Sequence, residues 1–154
     1  MLTCSKVFEE YPFSHAQHNH DGHCRFSHGH NWVIKLTFVA TERDENGFIV
    51  DFGKLKYLRE WMKENLDHRH LFNKGDTRGL EVLKNHPEFF KPLIVEDASC
   101  EGLCLYFYKV FSALLAEHEG DRVKLLTVEL FEDAKNSTAY TSDEVLALMR
   151  QSCQ

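Results

Sequence analysis

From Trp32 to Ala40 the chain alternates without a break. Trp32, Ile34, Leu36, Phe38 and Ala40 fall on one side, and Val33, Lys35, Thr37 and Val39 on the other. A period of two over this length marks a strand with one buried face, and such a strand needs a sheet around it. Asp44-Glu45-Asn46-Gly47 follows, and Asn-Gly readily takes the positive φ of a tight turn. Phe48-Ile49-Val50 then reads as the returning strand, so residues 31–50 are expected to form a hairpin. An earlier strand is expected over residues 5–17.

The periodicity then changes. Leu55, Leu58, Met62 and Leu66 recur at helical spacing among Lys, Arg and Glu, which predicts an amphipathic helix over 53–66. From residue 71 to about 97, a stretch containing Pro87 and Pro92, no period is visible and the chain reads as irregular. A second helix is expected over 99–118, with Leu103, Phe107, Val110, Phe111, Leu114 and Leu115 as its buried stripe and Gly120-Asp121 as its stop. Residues 122–132 read as a strand and 137–141 as a short one, and Thr141 with Glu144 resembles the capping box of a terminal helix. Strands joined by a hairpin, with helices grouped, argue for an α+β fold: a four-stranded antiparallel sheet with helices packed on one face. At 154 residues, one domain over 1–154 can bury roughly 70% of its unfolded surface without disulfide staples.

Charge and cysteine usage narrow the function classes. With 18 Lys+Arg against 24 Asp+Glu the net charge is -6, which argues against nucleic acid as the partner. No apolar run approaches the roughly 20 residues of a membrane span, and no apolar signal core opens the chain. The expected location is therefore cytoplasmic. The five cysteines form no CxxC pair, which fits a reducing compartment. Cys100 and Cys104, four apart on the second helix, read as core residues.

Six of the ten histidines fall between residues 15 and 30. His28 and His30 flank Gly29 at the start of the alternating strand, and residues i and i+2 of a strand point to the same side. Two neutral imidazoles aimed at one point suit Zn2+, at Zn–N distances near ~2.0–2.1 Å. A third ligand has to come from elsewhere: His15 is the first choice, with His18, His20 and His23 as competitors. Three protein ligands would leave a fourth position for water or substrate, as a catalytic zinc requires. Three residues separate Cys24 from this pair, and Asp67-His68 closes the first helix. A Cys, a His and an Asp brought together by folding would make a proton-transfer set, with the Asp fixing the His tautomer. Glu132 extends the face of Leu126, Val128 and Leu130, and a carboxylate there would suit a ligand with two N–H donors; Glu129 faces the other way. No nicotinamide, flavin or nucleotide motif is present. The alternative of another class is a non-catalytic metal-binding protein.

Taken together, these residues resemble the 6-pyruvoyltetrahydropterin synthase family. The matching pieces are Phe13-Ser14-His15, Cys24-x3-His28-Gly29-His30-Asn31, Val50-Asp51-Phe52-Gly53-x-Leu55-Lys56, Leu66-Asp67-His68, Ser99-x-Glu101, Val128-x-Leu130-x-Glu132 and Asn136 to Tyr140. They stand in the family's order over roughly residues 5–140. The resemblance implies the tunnelling fold, zinc on His15, His28 and His30, and an acid/base set of Cys24, Asp67 and His68. It also implies Glu132 and Ser99 on the pterin, and homo-oligomers, trimers or hexamers, with active sites between subunits. The three residues between Cys24 and His28 favour the branch that converts 7,8-dihydroneopterin triphosphate to 6-carboxytetrahydropterin, acetaldehyde and triphosphate for queuosine synthesis. The pyruvoyl-forming branch is the same-fold alternative. Arg25 and Lys35 are candidates for the triphosphate.

Overall fold

The computed structural model describes residues 2–151. Its larger sheet is antiparallel and contains β1 (Thr3–Phe8), β4 (Val33–Ala40), β7 (Val123–Phe131) and β8 (Ser137–Thr141), side by side in that order. The alternating segment is its centre: Ile34, Leu36 and Phe38 of β4 are fully buried. Cross-strand pairs Ser5–Thr37, Lys35–Glu129 and Thr127–Thr141 lie on the opposite, polar face.

Two helices cover the apolar face. α1 (Lys56–Asn65) contributes Leu58 and Met62, and α3 (Cys100–Glu119) contributes Leu103, Cys104, Phe107, Phe111 and Leu115. Gly120 ends α3 at φ 67, a left-handed conformation that glycine adopts without steric cost. Phe107 has no exposed surface and packs against Phe13, Trp61 and Phe111. Its truncation to Ala is expected to cost about 3–5 kcal/mol, read as a lower urea midpoint with an unchanged slope. α4 (Asp143–Gln151) docks on the opposite face at one end, where Val145 and Met149 meet Val39 and Leu126. Ser142, rather than Thr141, caps it, its Oγ accepting the N–H of Val145. Among the described residues no helix is long and apolar enough to cross a membrane.

Three sequence expectations change. The turn at Asn46-Gly47 forms, with Gly47 at φ 82, but residues 48–50 add no strand. β4 is already paired on both edges, by β1 and β7, so no edge remains for them. Ile49 and Val50 instead bury their side chains in the core. In β7, a register shift opposite Thr37 and Phe38 turns Leu126 to the far face, leaving Leu125, Val128 and Leu130 toward α3.

The third change is the largest. The strand expected over 5–17 is broken into β1 and a separate β2 (Phe13–His15), and the segment taken as irregular is ordered. β2 joins a second four-stranded sheet, in the order β3 (His28–His30), β2, β5 (Arg69–Asn73) and β6 (Pro92–Val95). β2 pairs antiparallel with β3 and parallel with β5, and β5 runs parallel to β6. α2 (Thr77–Asn85) connects β5 to β6.

Candidate metal centre and adjoining cleft

The second sheet places the histidines. In the β2–β3 register, His15 stands opposite His28 and Phe13 opposite His30, so the three imidazoles share one face. Their ligand atoms lie within 4.8 Å of one another. Gly29 sits where a side chain would press on the Phe13 carbonyl, 3.3 Å from an added Cβ. Trp32 closes the other side, stacked on Phe13, edge-on to His15 and His30, and donating its indole N–H to the Phe13 carbonyl.

The hydrogen bonds settle which nitrogens are free. His15 Nδ1 lies 2.7 Å from the Ala98 carbonyl, and His28 Nδ1 lies 2.7 Å from the Phe26 carbonyl. A carbonyl only accepts, so both Nδ1 atoms carry the proton and both Nε2 atoms present lone pairs. His15 Nε2 and His30 Nε2 are buried with no hydrogen-bond partner. An unpaired buried nitrogen costs free energy, and a cation between the rings would remove that cost. Burial, reinforced by the neighbouring imidazoles, lowers the pKa of His15 to about 4, so the ring is neutral near pH 7. Nδ1 protons anchored on carbonyls, as on His15 and His28, leave Nε2 lone pairs of the kind Zn2+ binds. The residues present fit the group.

His18, His20 and His23 are not part of this cluster. His20 Nδ1 accepts the Gly22 N–H, His23 lies in a short 3-10 turn (His23–Arg25), and His18 lines a cleft described below. Cys24 occupies the same turn and is exposed; its carbonyl accepts the Gln17 N–H, and its Sγ has no hydrogen-bond partner among the described residues. Asp67 and His68 follow α1. Asp67 Oδ1 accepts from His68 Nδ1 at 2.6 Å, leaving Nε2 outward on a side chain that is 79% exposed. His68 has φ 56, an uncommon conformation for a non-glycine residue. It borders a shallow depression together with Ser14, His30 and Asn31. Within one chain the Asp67–His68 pair forms, but no contact joins it to Cys24.

Glu132 and Ser99 come together. Both line a cleft of about 1110 Å³ at the N-terminus of α3, with Gln17, His18 and Glu101 also in its wall. The Glu132 carboxylate makes no hydrogen bond or ion pair among the described residues, whereas Glu129 is held by Lys35 at 3.2 Å and by Ser137. Ser99 Oγ caps α3 by accepting the Gly102 N–H, which leaves its own hydroxyl proton to donate. Asp133 is consumed by the β7–β8 turn, its carboxylate accepting from Lys135 and Asn136. A depression lined by His30 and Glu132 links the histidine cluster to this carboxylate. The sequence reading missed the anchoring carbonyl of Ala98, the Gln17 side chain that donates to the same carbonyl, and Trp32. Backbone acceptors leave no sequence signal; the Trp32 indole beside His30 could have been noticed.

An antiparallel sheet backed by two helices, with three imidazoles gathered beside it, is the tunnelling fold. The family model described as 6-pyruvoyl tetrahydropterin synthase matches residues 4–143, and the chain belongs to that family. It is 28% identical over 134 residues to a 6-carboxy-5,6,7,8-tetrahydropterin synthase of Rickettsia bellii, covering 86% of this chain and 94% of the relative. Among solved structures, an uncharacterized protein from Wolinella succinogenes superposes with a TM-score of 0.80 at 16% identity, covering 92% of this chain and 98% of the other. The 6-pyruvoyl tetrahydropterin synthase of Caenorhabditis elegans superposes with a TM-score of 0.61 at 22% identity, covering 92% and 96%. These two likenesses concern the fold.

Proposed function

We propose that this chain is a zinc-dependent lyase converting 7,8-dihydroneopterin triphosphate and one water to 6-carboxytetrahydropterin, with release of acetaldehyde and triphosphate. The observation that carries the reading is the pair of buried, partnerless Nε2 atoms on His15 and His30, aimed with His28 at one point. The name of the Rickettsia bellii relative and the three-residue spacing between Cys24 and His28 support the carboxy-forming branch. Queuosine synthesis is the pathway this product would feed, and the cytoplasm its expected setting.

His15, His28 and His30 would hold the zinc, which when bound supplies a Lewis acid for side-chain oxygens of the substrate. Glu132 would accept two N–H groups of the pterin with its uncommitted carboxylate, and the Ser99 hydroxyl would donate to the ring. Cys24 Sγ would take a proton from the side-chain carbon as thiolate. His68, whose Nδ1 proton is held by Asp67, would receive or return a proton at Nε2. Because His68 and Cys24 do not meet within one chain, the reading includes a homo-oligomer, trimer or hexamer, in which a neighbouring copy completes the set.

The test is incubation of the zinc-loaded protein with 7,8-dihydroneopterin triphosphate and identification of the products. Stoichiometric acetaldehyde and 6-carboxytetrahydropterin are expected. A pyruvoyl pterin with triphosphate loss would transfer the chain to the other branch. Several loosely held metals per chain with no pterin turnover would make it a metal-binding protein.

A further inference from the structure

The cleft that holds Glu132 suits a pterin ring and repels what the substrate carries at its other end. Its wall contains four carboxylates, on Glu96, Asp97, Glu101 and Glu132, of which Glu96 is paired with Lys74 at 2.7 Å, against a single lining lysine, Lys135. A triphosphate chain placed there would meet like charge. His18, however, lines this cleft and also a second pocket of about 280 Å³, between the outer face of the β3-β2-β5-β6 sheet and α2. The charge in that pocket is of the other kind. Arg25 and Arg78 both line it, and neither guanidinium makes an ion pair or hydrogen bond among the described residues. The one carboxylate in its wall, Asp76, caps α2 by accepting the Gly79 N–H at 2.9 Å, and its charge also acts on His70.

His70 is the second, independent observation. It is 9% exposed and lines the pocket from β5. Its Nδ1 faces the hydroxyls of Ser14 at 2.7 Å and Ser27 at 3.4 Å, while its Nε2 has no hydrogen-bond partner among the described residues. In the tautomer in which the Ser14 hydroxyl donates to Nδ1 rather than to the Arg69 carbonyl 3.4 Å away, the ring proton sits on Nε2 and is offered as a donor. Two guanidiniums free of ion pairs, that of Arg25 resting over the Phe26 ring at 5.5 Å, and an imidazole N–H in that tautomer form a donor set that recognises phosphate oxygens. Arg25 and Ser27 also lie within the segment that runs from Cys24 to His28, which brings the pocket close along the chain to the reacting groups.

We propose that this pocket receives the triphosphate chain of the substrate, with Arg25 and Arg78 as its principal anchors and His70 as a further donor. The proposal rests on the pterin-triphosphate reading above, and it gives that substrate two compartments of opposite charge that meet at His18. α2 therefore has a role: it carries Arg78 across the outer face of the second sheet.

The experiment is calorimetric titration of the full chain with sodium tripolyphosphate, as purified and again after dialysis against EDTA. The second preparation separates binding to the pocket from chelation by a bound metal. Wild-type protein is expected to bind in both preparations, and the Arg25→Ala/Arg78→Ala double variant at least about tenfold more weakly in both. Lys109→Ala, which removes an exposed charge on α3, is expected to bind like wild type. In turnover assays the double variant should raise KM for the triphosphate substrate by a similar factor while leaving the affinity for unphosphorylated dihydroneopterin unchanged. No binding by wild type, equal binding by the double variant, equal loss in Lys109→Ala, or binding that vanishes with EDTA would each overturn the proposal. The expected binding pattern in a protein that leaves the pterin unchanged would uphold the anion site and remove the functional reading beneath it.

Discussion

His28→Ala is expected to drop bound zinc from about one per chain to near zero and to take turnover with it. His28 supplies one of three imidazoles whose ligand atoms converge within 4.8 Å, and no other His, Cys, Asp or Glu completes the group among the described residues. Loss of an outer-shell hydrogen bond alone costs about 10–100-fold in metal affinity, so loss of a ligand should cost at least about 100-fold. His28 is the best of the three for the test because its ring is only half-buried and belongs to a short strand at the edge of the second sheet. Its removal leaves no hole in the core, unlike removal of His15, which is 1% exposed. His20→Ala, outside the cluster and bonded to the Gly22 N–H, should retain full zinc. Metal analysis after gel filtration, with circular dichroism to confirm the fold, reads both variants. Full zinc in His28→Ala, with loss in a variant lacking His18, His20 and His23, would assign the metal to the loop and defeat the three-histidine centre.

The contrast between those two groups of histidines shows what a sequence of this kind reveals. β4, α1 and α3 are legible because each is long enough for its period to repeat several times. The second sheet is not, since its strands are three to five residues long and its β2–β5 pairing joins Phe13 to Arg69, far apart along the chain. The segment 48–50 carries a correct local signal for a turn and a hydrophobic return. Its strand fails to form for a reason outside the segment, namely that β1 and β7 already occupy the edges of β4. In the candidate site, His28 and His30 are legible from their spacing, and Asp67–His68 from their adjacency. His15 is brought opposite His28 only by the register of β2 and β3, and its tautomer is set by a carbonyl 83 residues away. Glu132 was separable from Glu129 by strand parity, which survives because the irregularity at Leu126 lies upstream of both. Nothing in the sequence shows that Arg25 and Arg78 line one pocket, because α2 lies in a stretch without visible period.

Cys24→Ala is expected to leave zinc content and stability unchanged while lowering kcat by about 10²–10⁴-fold, the range for loss of a positioned general base. The two halves of that expectation rest on different observations. Cys24 is exposed in a 3-10 turn, its side chain lies outside the histidine cluster, and the bond it contributes to the fold uses its backbone carbonyl, which alanine keeps. The metal site and the core therefore have no reason to respond. The side chain, by contrast, is the one thiol exposed near the cluster among the described residues, since Cys100 and Cys104 are buried on α3 and Cys4 lies on β1. A thiolate accepts a proton at a pH where a serine hydroxyl does not, so Cys24→Ser should be almost as inactive as Cys24→Ala despite its similar size. That pairing separates a proton-transfer role from a packing role, because a packing role would be rescued by serine. Metal analysis and unfolding midpoints establish that the variants are intact, and product formation under single-turnover conditions isolates chemistry from release. Wild-type turnover in Cys24→Ala would remove the thiol from the mechanism and leave proton transfer to the Asp67–His68 pair alone.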